Sequence, residues 1–171
     1  MLRHVKSVIN FLYPINPLVE TETQRMFVIY DFEPTGYDAS KTGWSRSETD
    51  YCNGQQVAGY FAGDLTLSKT FSNLPAHHRW SAQVTIYALD TWDNEFIAIK
   101  QGSSGAELWR GYSEVSTGSH TINLCKNIAA DNRIVATIPT KVDTSSSLSF
   151  YFYTNLMEDV NDEAWAITDF Q

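Results

Sequence analysis

The 171-residue chain has two cysteines, Cys52 and Cys125, too few and too far apart for the dense disulfide framework of a small secreted scaffold. Long apolar runs are absent as well. The longest span only a few residues, against the roughly 20 that a bilayer requires, so no transmembrane segment is expected. Bases are scarce: 12 Lys and Arg face 20 Asp and Glu, for a net charge of −8, and nothing after Lys141 is basic. Nucleic-acid binding needs a basic footprint that releases counterions, and the few bases here are scattered singly. Cations are the more natural partner. The four histidines, His4, His77, His78 and His120, form no His-Glu-x-x-His or other zinc spacing, and there is no Cys-x-x-Cys pair. No Gly-x-Ser-x-Gly elbow and no glycine-rich phosphate loop occurs either. No Asn-x-Ser/Thr sequon is present, which argues against a glycosylated secreted protein.

Aromatics and hydroxyls are plentiful. Aromatic residues make up 13% of the chain, with five Trp, nine Tyr and nine Phe, and Ser and Thr supply 16 each. Such a mix fits a pleated, half-buried surface, and a chain of this length buries roughly 70% of its unfolded surface. The expected class is all-β. After Pro17, short period-two or continuous apolar runs alternate with Gly, Pro, Asp and Ser clusters. Met26–Glu33 reads as a first strand, followed by a long loop through Gly43 and Trp44 to Cys52; Gly59–Phe71 reads as two strand pieces around Gly63-Asp64. His78–Leu89 is the longest candidate. It sets Trp80, Ala82, Val84, Ile86 and Ala88 on an apolar face against Arg79, Ser81, Gln83, Thr85 and Tyr87 on a largely wet one. Glu95–Lys100, Glu107–Arg110, His120–Cys125, Arg133–Ile138, Leu148–Tyr153 and Ala164–Phe170 complete the series, with turns at Gly102–Gly105 and from Asp143. This regular spacing predicts an antiparallel β-sandwich of jelly-roll type over residues 26–171.

Residues 1–25 read as an extension of different character. The first 19 carry a charge of +2 and no acid, which leaves −10 on the remainder, and Leu2, Val5, Ile9 and Leu12 fall near one face of a short helix ended by Pro14. The stretch is a poor secretory signal, because Lys6, Ser7 and Asn10 interrupt it. A docking helix or a targeting segment fits better, and with it an intracellular or mitochondrial location.

Two acidic clusters carry the candidate chemistry. In Leu89-Asp-Thr-Trp-Asp-Asn-Glu95, the side chains of Asp90, Asp93 and Glu95 offer hard oxygens close together, which suits calcium. The spacing is not that of an EF-hand. Asp90 and Asn94 bonding to the turn backbone, with Trp92 in the core, is the competing structural reading. Asp93 and Glu95 share a face if they lie on one strand, with Asp90 out of phase; a retaining glycoside hydrolase needs such a carboxylate pair about 5 Å apart. The second cluster, Glu158, Asp159, Asp162 and Glu163, precedes Ala164-Trp-Ala-Ile167. Asp162 and Glu163 complete a cation site if the fold brings the two clusters together. Trp44, in a polar loop, is the best candidate for an exposed ring, and Trp44 and Trp92 are the candidate ligand or partner contacts. From spacing alone, Cys52 and Cys125 either pair or stay two buried thiols.

Asp31-Phe-Glu33, Gly43-Trp44, Cys52-Asn-Gly54, Gly59-Tyr60, Lys69-Thr-Phe71 with Leu74-Pro-x-His77, Leu89-Asp-x-Trp-Asp93, Cys125, Asn155-Leu156 and Asp162-Glu-x-Trp165 follow one another in this order. In that order they resemble the β-sandwich domain repeated in large Cys-rich surface proteins of ciliates and other protists. The resemblance implies a Cys52–Cys125 disulfide and a binding or architectural role without catalysis. The sequence departs from the pattern at Cys52-Asn-Gly54, where Cys-Gly is usual. The leading expectation is therefore a non-catalytic module acting as an accessory subunit, through a protein partner, in a larger, mitochondrial assembly. The alternative is a calcium-dependent carbohydrate or surface-ligand binder, and the third reading is a glycoside hydrolase of jelly-roll type.

Overall fold

A computed structural model describes residues 43–114, 123–125 and 130–171. The expected strand at Met26–Glu33 and the helix or targeting segment of residues 1–25 lie outside them. The described residues form nine strands and no helix: β1 (Thr49–Cys52), β2 (Gln55–Phe61), β3 (Leu67–Ser72), β4 (Arg79–Asp90), β5 (Asp93–Gln101), β6 (Glu107–Glu114), β7 (Asn132–Val142), β8 (Ser147–Thr154) and β9 (Glu163–Thr168). They assemble into two antiparallel sheets, ordered β1-β2-β9-β4-β7 and β3-β8-β5-β6. Apart from the β1–β2 and β5–β6 hairpins, each strand is followed by one in the other sheet. That alternation is the jelly-roll path, and the all-β sandwich expected from the sequence is what the chain adopts.

The core follows from strand alternation. Trp80, Ala82, Val84, Ile86 and Ala88 of β4, Leu148, Phe150 and Phe152 of β8, and Trp165 and Ile167 of β9 all join one buried cluster between the sheets. Trp44 also belongs to it. It is 5% exposed, bridges to Lys69, and packs against Phe152 and Phe170 at ring-centroid distances of 6.0 and 5.9 Å. The expectation that Trp44 offers a free ring to solvent is thus corrected. Its polar neighbours in sequence are exposed, while the indole fills the sandwich edge.

Two further corrections concern residues 49–60 and the outer face of β4. The stretch expected as loop up to Cys52 holds β1, joined to β2 by Asn53-Gly54 with φ of 51° and 75°. Positive φ at both central residues is the demand of a tight hairpin turn, which Asn-Gly meets. The second face of β4 is not wet at its C-terminal end. Tyr87 and Thr85 are buried, and Tyr87 and Leu89 pack with Cys52, Val57, Ala164 and Ala166 under Leu124 and Cys125. Residues 123–125 form a cover and no strand, and the rest of the strand expected at His120–Cys125 lies outside the described residues. Asp131, itself buried, clamps that cover: its carboxylate accepts the N–H groups of Leu124 and Cys125 at 2.7 and 2.8 Å and that of Asp90 at 3.3 Å.

The Cys52–Cys125 disulfide closes the same layer, linking the first hairpin to the cover across a sequence separation of 73. Closing a loop of that length removes up to about 4 kcal/mol of chain entropy from the unfolded state. Reduction, or the Cys52→Ala/Cys125→Ala double variant, is expected to lower the unfolding free energy by a few kcal/mol. Chemical denaturation with and without reductant reads it directly; equal midpoints would show that the bond contributes nothing.

Candidate functional site

Two places on the described surface gather chemistry. The first is the end of the sandwich where the chain crosses twice between the sheets. Only Thr91 and Trp92 separate β4, in the five-stranded sheet, from β5, in the four-stranded one. Trp92 is fully buried in this crossover and donates its indole N–H to the Ala164 carbonyl at 3.0 Å. It is a structural wedge, so its expected role as a ligand contact is corrected. The return crossover, from β8 to β9, ends in a turn in which the Asp159 carbonyl accepts the N–H groups of Asp162 and Glu163, both at 3.0 Å.

These crossovers bring the two acidic clusters of the sequence together. One carboxylate oxygen each from Asp93, Glu95 and Glu163 lie within 4.8 Å of one another. Alternation explains the meeting. On β5, Glu95 shares its side with the core residues Ile97 and Ile99, and on β9, Glu163 shares its side with Trp165 and Ile167. Both side chains therefore head into the gap between the sheets at its open end. Asp93 is exposed, Glu95 half-buried and Glu163 6% exposed. The other two acids named from the sequence do not join. Asp90 pairs with Glu163 in the β4–β9 ladder but stands outside the cluster, and Asp162 acts on it only through its charge.

Electrostatics makes the cluster costly. Burial pushes the Glu163 carboxyl up from 4.5 to about 7, and the charges of Glu95, Asp93, Glu158 and Asp162 add to the shift. At an effective dielectric of about 20, two full charges 4.8 Å apart repel by roughly 3 kcal/mol. The Glu95 carboxylate accepts the Asp93 N–H. Among the described residues, no Lys, Arg or His forms an ion pair with any of the three acids.

The second place is marked by no motif in the sequence. On the outer face of the four-stranded sheet, β8 contributes Tyr151 and Tyr153, β5 contributes Phe96, Ala98 and Lys100, and β6 contributes Glu107, Arg110 and Tyr112. Register fixes the pattern: Tyr153, Ala98 and Arg110 lie in one cross-strand row, Tyr151, Lys100 and Glu107 in the next, and Phe96 opposite Tyr112. Ala98 is the low point between larger neighbours. Across it, Arg110 Nε donates to Glu107 at 3.0 Å, Arg110 Nη2 donates to Glu107 at 2.6 Å and to the Tyr153 hydroxyl at 3.2 Å, and that hydroxyl donates to Glu107 at 2.8 Å. These bonds, the one from Arg110 foremost, hold the Glu107 carboxyl down to about 2. Arg110 lies over the Phe96 ring at 3.8 Å and Lys100 over the Tyr153 ring at 4.3 Å. Tyr112, at 61% exposure, and Tyr151 carry no cation over their rings among the described residues. The signal for this face was present in Leu148-Ser-Phe-Tyr-Phe-Tyr153, where one parity supplies core and the other supplies two tyrosines to the surface.

Because Glu163 binds its proton more tightly folded than unfolded, its neutral form contributes stability that is fully present below about pH 4.5 and lost as pH rises through about 7. The Glu163→Gln variant keeps a neutral side chain throughout. In chelator, its stability relative to wild type is expected to rise across this window by up to about 3 kcal/mol. Urea melts at pH 4 and pH 8 check it, and a difference independent of pH would refute the raised value.

No protein-family model matches the chain, and no curated protein does. Among solved structures, the chain is similar to a family 6 carbohydrate-binding module at 15% identity and TM-score 0.44, over 81% of this chain and 88% of that one. It is similar to a module from Clostridium stercorarium in complex with cellobiose at 17% identity and TM-score 0.40, over 72% and 78% of the two chains. A third is the C-terminal module of a marine laminarinase from Zobellia galactanivorans, at 13% identity and TM-score 0.44, over 74% and 87%.

Proposed function

We propose that this chain is a non-catalytic binding module whose ligand is a carbohydrate, received on the outer face of the four-stranded sheet. The observation that carries the reading is the mixed surface around Ala98. A sugar ring presents apolar C–H faces and a rim of hydroxyls, so it needs flat aromatic area next to fixed donors and acceptors. Tyr112 and Tyr151 supply the area, and tyrosine combines an apolar ring with a polar tip. Arg110, Glu107 and the Tyr153 hydroxyl supply the fixed polar groups, already oriented by one another, so little side-chain entropy remains to be lost on binding. The opposed charges of Arg110 and Glu107 favour a neutral ligand over a polyanion.

The Cys52–Cys125 bond supports work in an oxidising compartment, in place of the intracellular or mitochondrial location expected from the basic leader. The accessory-subunit reading rests on residues 1–19, and no described residue adds to it. A glycoside hydrolase would put its carboxylates in the sugar cleft, whereas Asp93, Glu95 and Glu163 sit at the end of the sandwich and the aromatic surface on its face.

Calorimetric titration with a panel of soluble neutral and acidic oligosaccharides tests the reading. A neutral glycan is expected to bind, and Tyr112→Ala and Tyr151→Ala are each expected to weaken it several-fold or more, since each truncation removes the flat aromatic area on which a sugar face rests. Tyr112 is exposed and Tyr151 half-buried, and neither joins the core between the sheets, so melting temperatures stay close to wild type. Undiminished glycan affinity in the two variants would sink the proposal.

A further inference from the structure

We infer that Asp93, Glu95 and Glu163 form a calcium site that ties the two sheets together at the crossover end of the sandwich. The inference is independent of the carbohydrate reading. Three acids from two different sheets converge, with one oxygen of each within 4.8 Å of the others. Convergence alone describes many exposed surfaces. The second observation is Glu163, which is 6% exposed and whose carboxylate has no hydrogen bond or ion pair with any described residue, yet is directed at the other two acids. A buried carboxylate normally has a partner. A bound cation supplies one.

The chemistry of the donors selects the ion. All three are hard oxygens, with no nitrogen or sulfur ligand among them, which disfavours zinc. Calcium binds oxygens at about 2.3–2.6 Å, so two of its ligands stand up to about 5 Å apart. Magnesium, at about 2.1 Å, demands opposing ligands near 4.2 Å and a close-to-ideal octahedron. Two carboxylates on β5 and one on β9, carried by separate sheets, make a loose cage better suited to calcium. Asp93 is exposed and leaves the remaining positions open to water. The Glu95 carboxylate, held by the Asp93 N–H, already faces the site.

The test uses the full chain, stripped with chelator and free of sugar, at near-neutral pH. Calorimetry with CaCl2 is expected to show one site per chain, and about 2 mM calcium is expected to raise the melting temperature by several degrees over chelator. Magnesium at the same concentration gives a clearly smaller shift. Glu163→Gln abolishes the binding heat, and Asp93→Asn, altered at an exposed position, weakens calcium at least tenfold. The inference is overturned by equal melting in calcium and chelator, by equal shifts with magnesium and calcium, or by calcium binding that survives Glu163→Gln. If Glu163→Gln does not fold, Asp93→Asn decides: unchanged calcium affinity overturns the site. Tyr112→Ala retains the full calcium response, so the loss of either reading is distinguishable from loss of the other.

Discussion

The Trp92 indole is the constraint on which the rest of the sandwich depends. Two packed sheets stand about 10 Å apart, and the chain passes from β4 to β5 with only Thr91 and Trp92 between them. Such a short crossover holds only if something fills the gap beneath it. Trp92 does so completely, and its N–H bond to the Ala164 carbonyl fixes the start of β9 beside the end of β4. Losing that side chain would leave a cavity worth about 3–5 kcal/mol and remove the bond to the Ala164 carbonyl. The position of Glu163 against Glu95, and the phase in which β5 offers Phe96, Ala98 and Lys100 to the outer face, both follow from that junction.

Polar chemistry is confined to the places where this packing runs out. Between the sheets, the alternation of β4, β8 and β9 leaves room only for apolar side chains. At the crossover end the same inward phase continues one position past the core, so Glu95 and Glu163 inherit a direction that suits Ile or Trp and carry a charge along it. That is why Glu163 is desolvated while Asp162, one residue earlier and on the other phase, is exposed. On the outer face the opposite holds. Glu107 sits near water and close to Arg110 and the Tyr153 hydroxyl, and its proton is held loosely rather than tightly. Two glutamates on one scaffold thus move in opposite directions, by burial among like charges in one case and by charge-assisted hydrogen bonds in the other.

Much of the fold was legible because period-two patterning survives tertiary packing. The apolar side of β4 is the one its sequence shows, and the Gly102–Gly105 turn falls between β5 and β6. What failed did so for identifiable reasons. Asn53-Gly54 is a strong hairpin signal, but the flanking Thr49–Cys52 is too polar to read as a strand. Tyr87 falls on the polar side of β4 by alternation, but its cover, Leu124 and Cys125, comes from a segment 37 and 38 positions away that the disulfide, Asp131 and the N–H of Asn53 hold in place. Trp44 is buried among polar neighbours: composition reports the polarity of a loop, and burial is decided by which side chain the loop turns inward.

The candidate sites show the same boundary between local and non-local information. Asp93 and Glu95 meet on β5, across an irregularity in its pairing with β6, while Asp90 ends β4 in the other sheet. No local rule says that Glu163, 68 positions beyond Glu95, completes the set, because that depends on β9 lying next to β4 and on both crossovers occurring at one end. The aromatic face is the reverse case. Its parts are local, two tyrosines in β8 and the Phe96–Lys100 phase of β5, but they acquire meaning only when β5 is found between β8 and β6, so that three rows align around Ala98. Residue types specify what a site is able to do; strand order decides whether those residues form one.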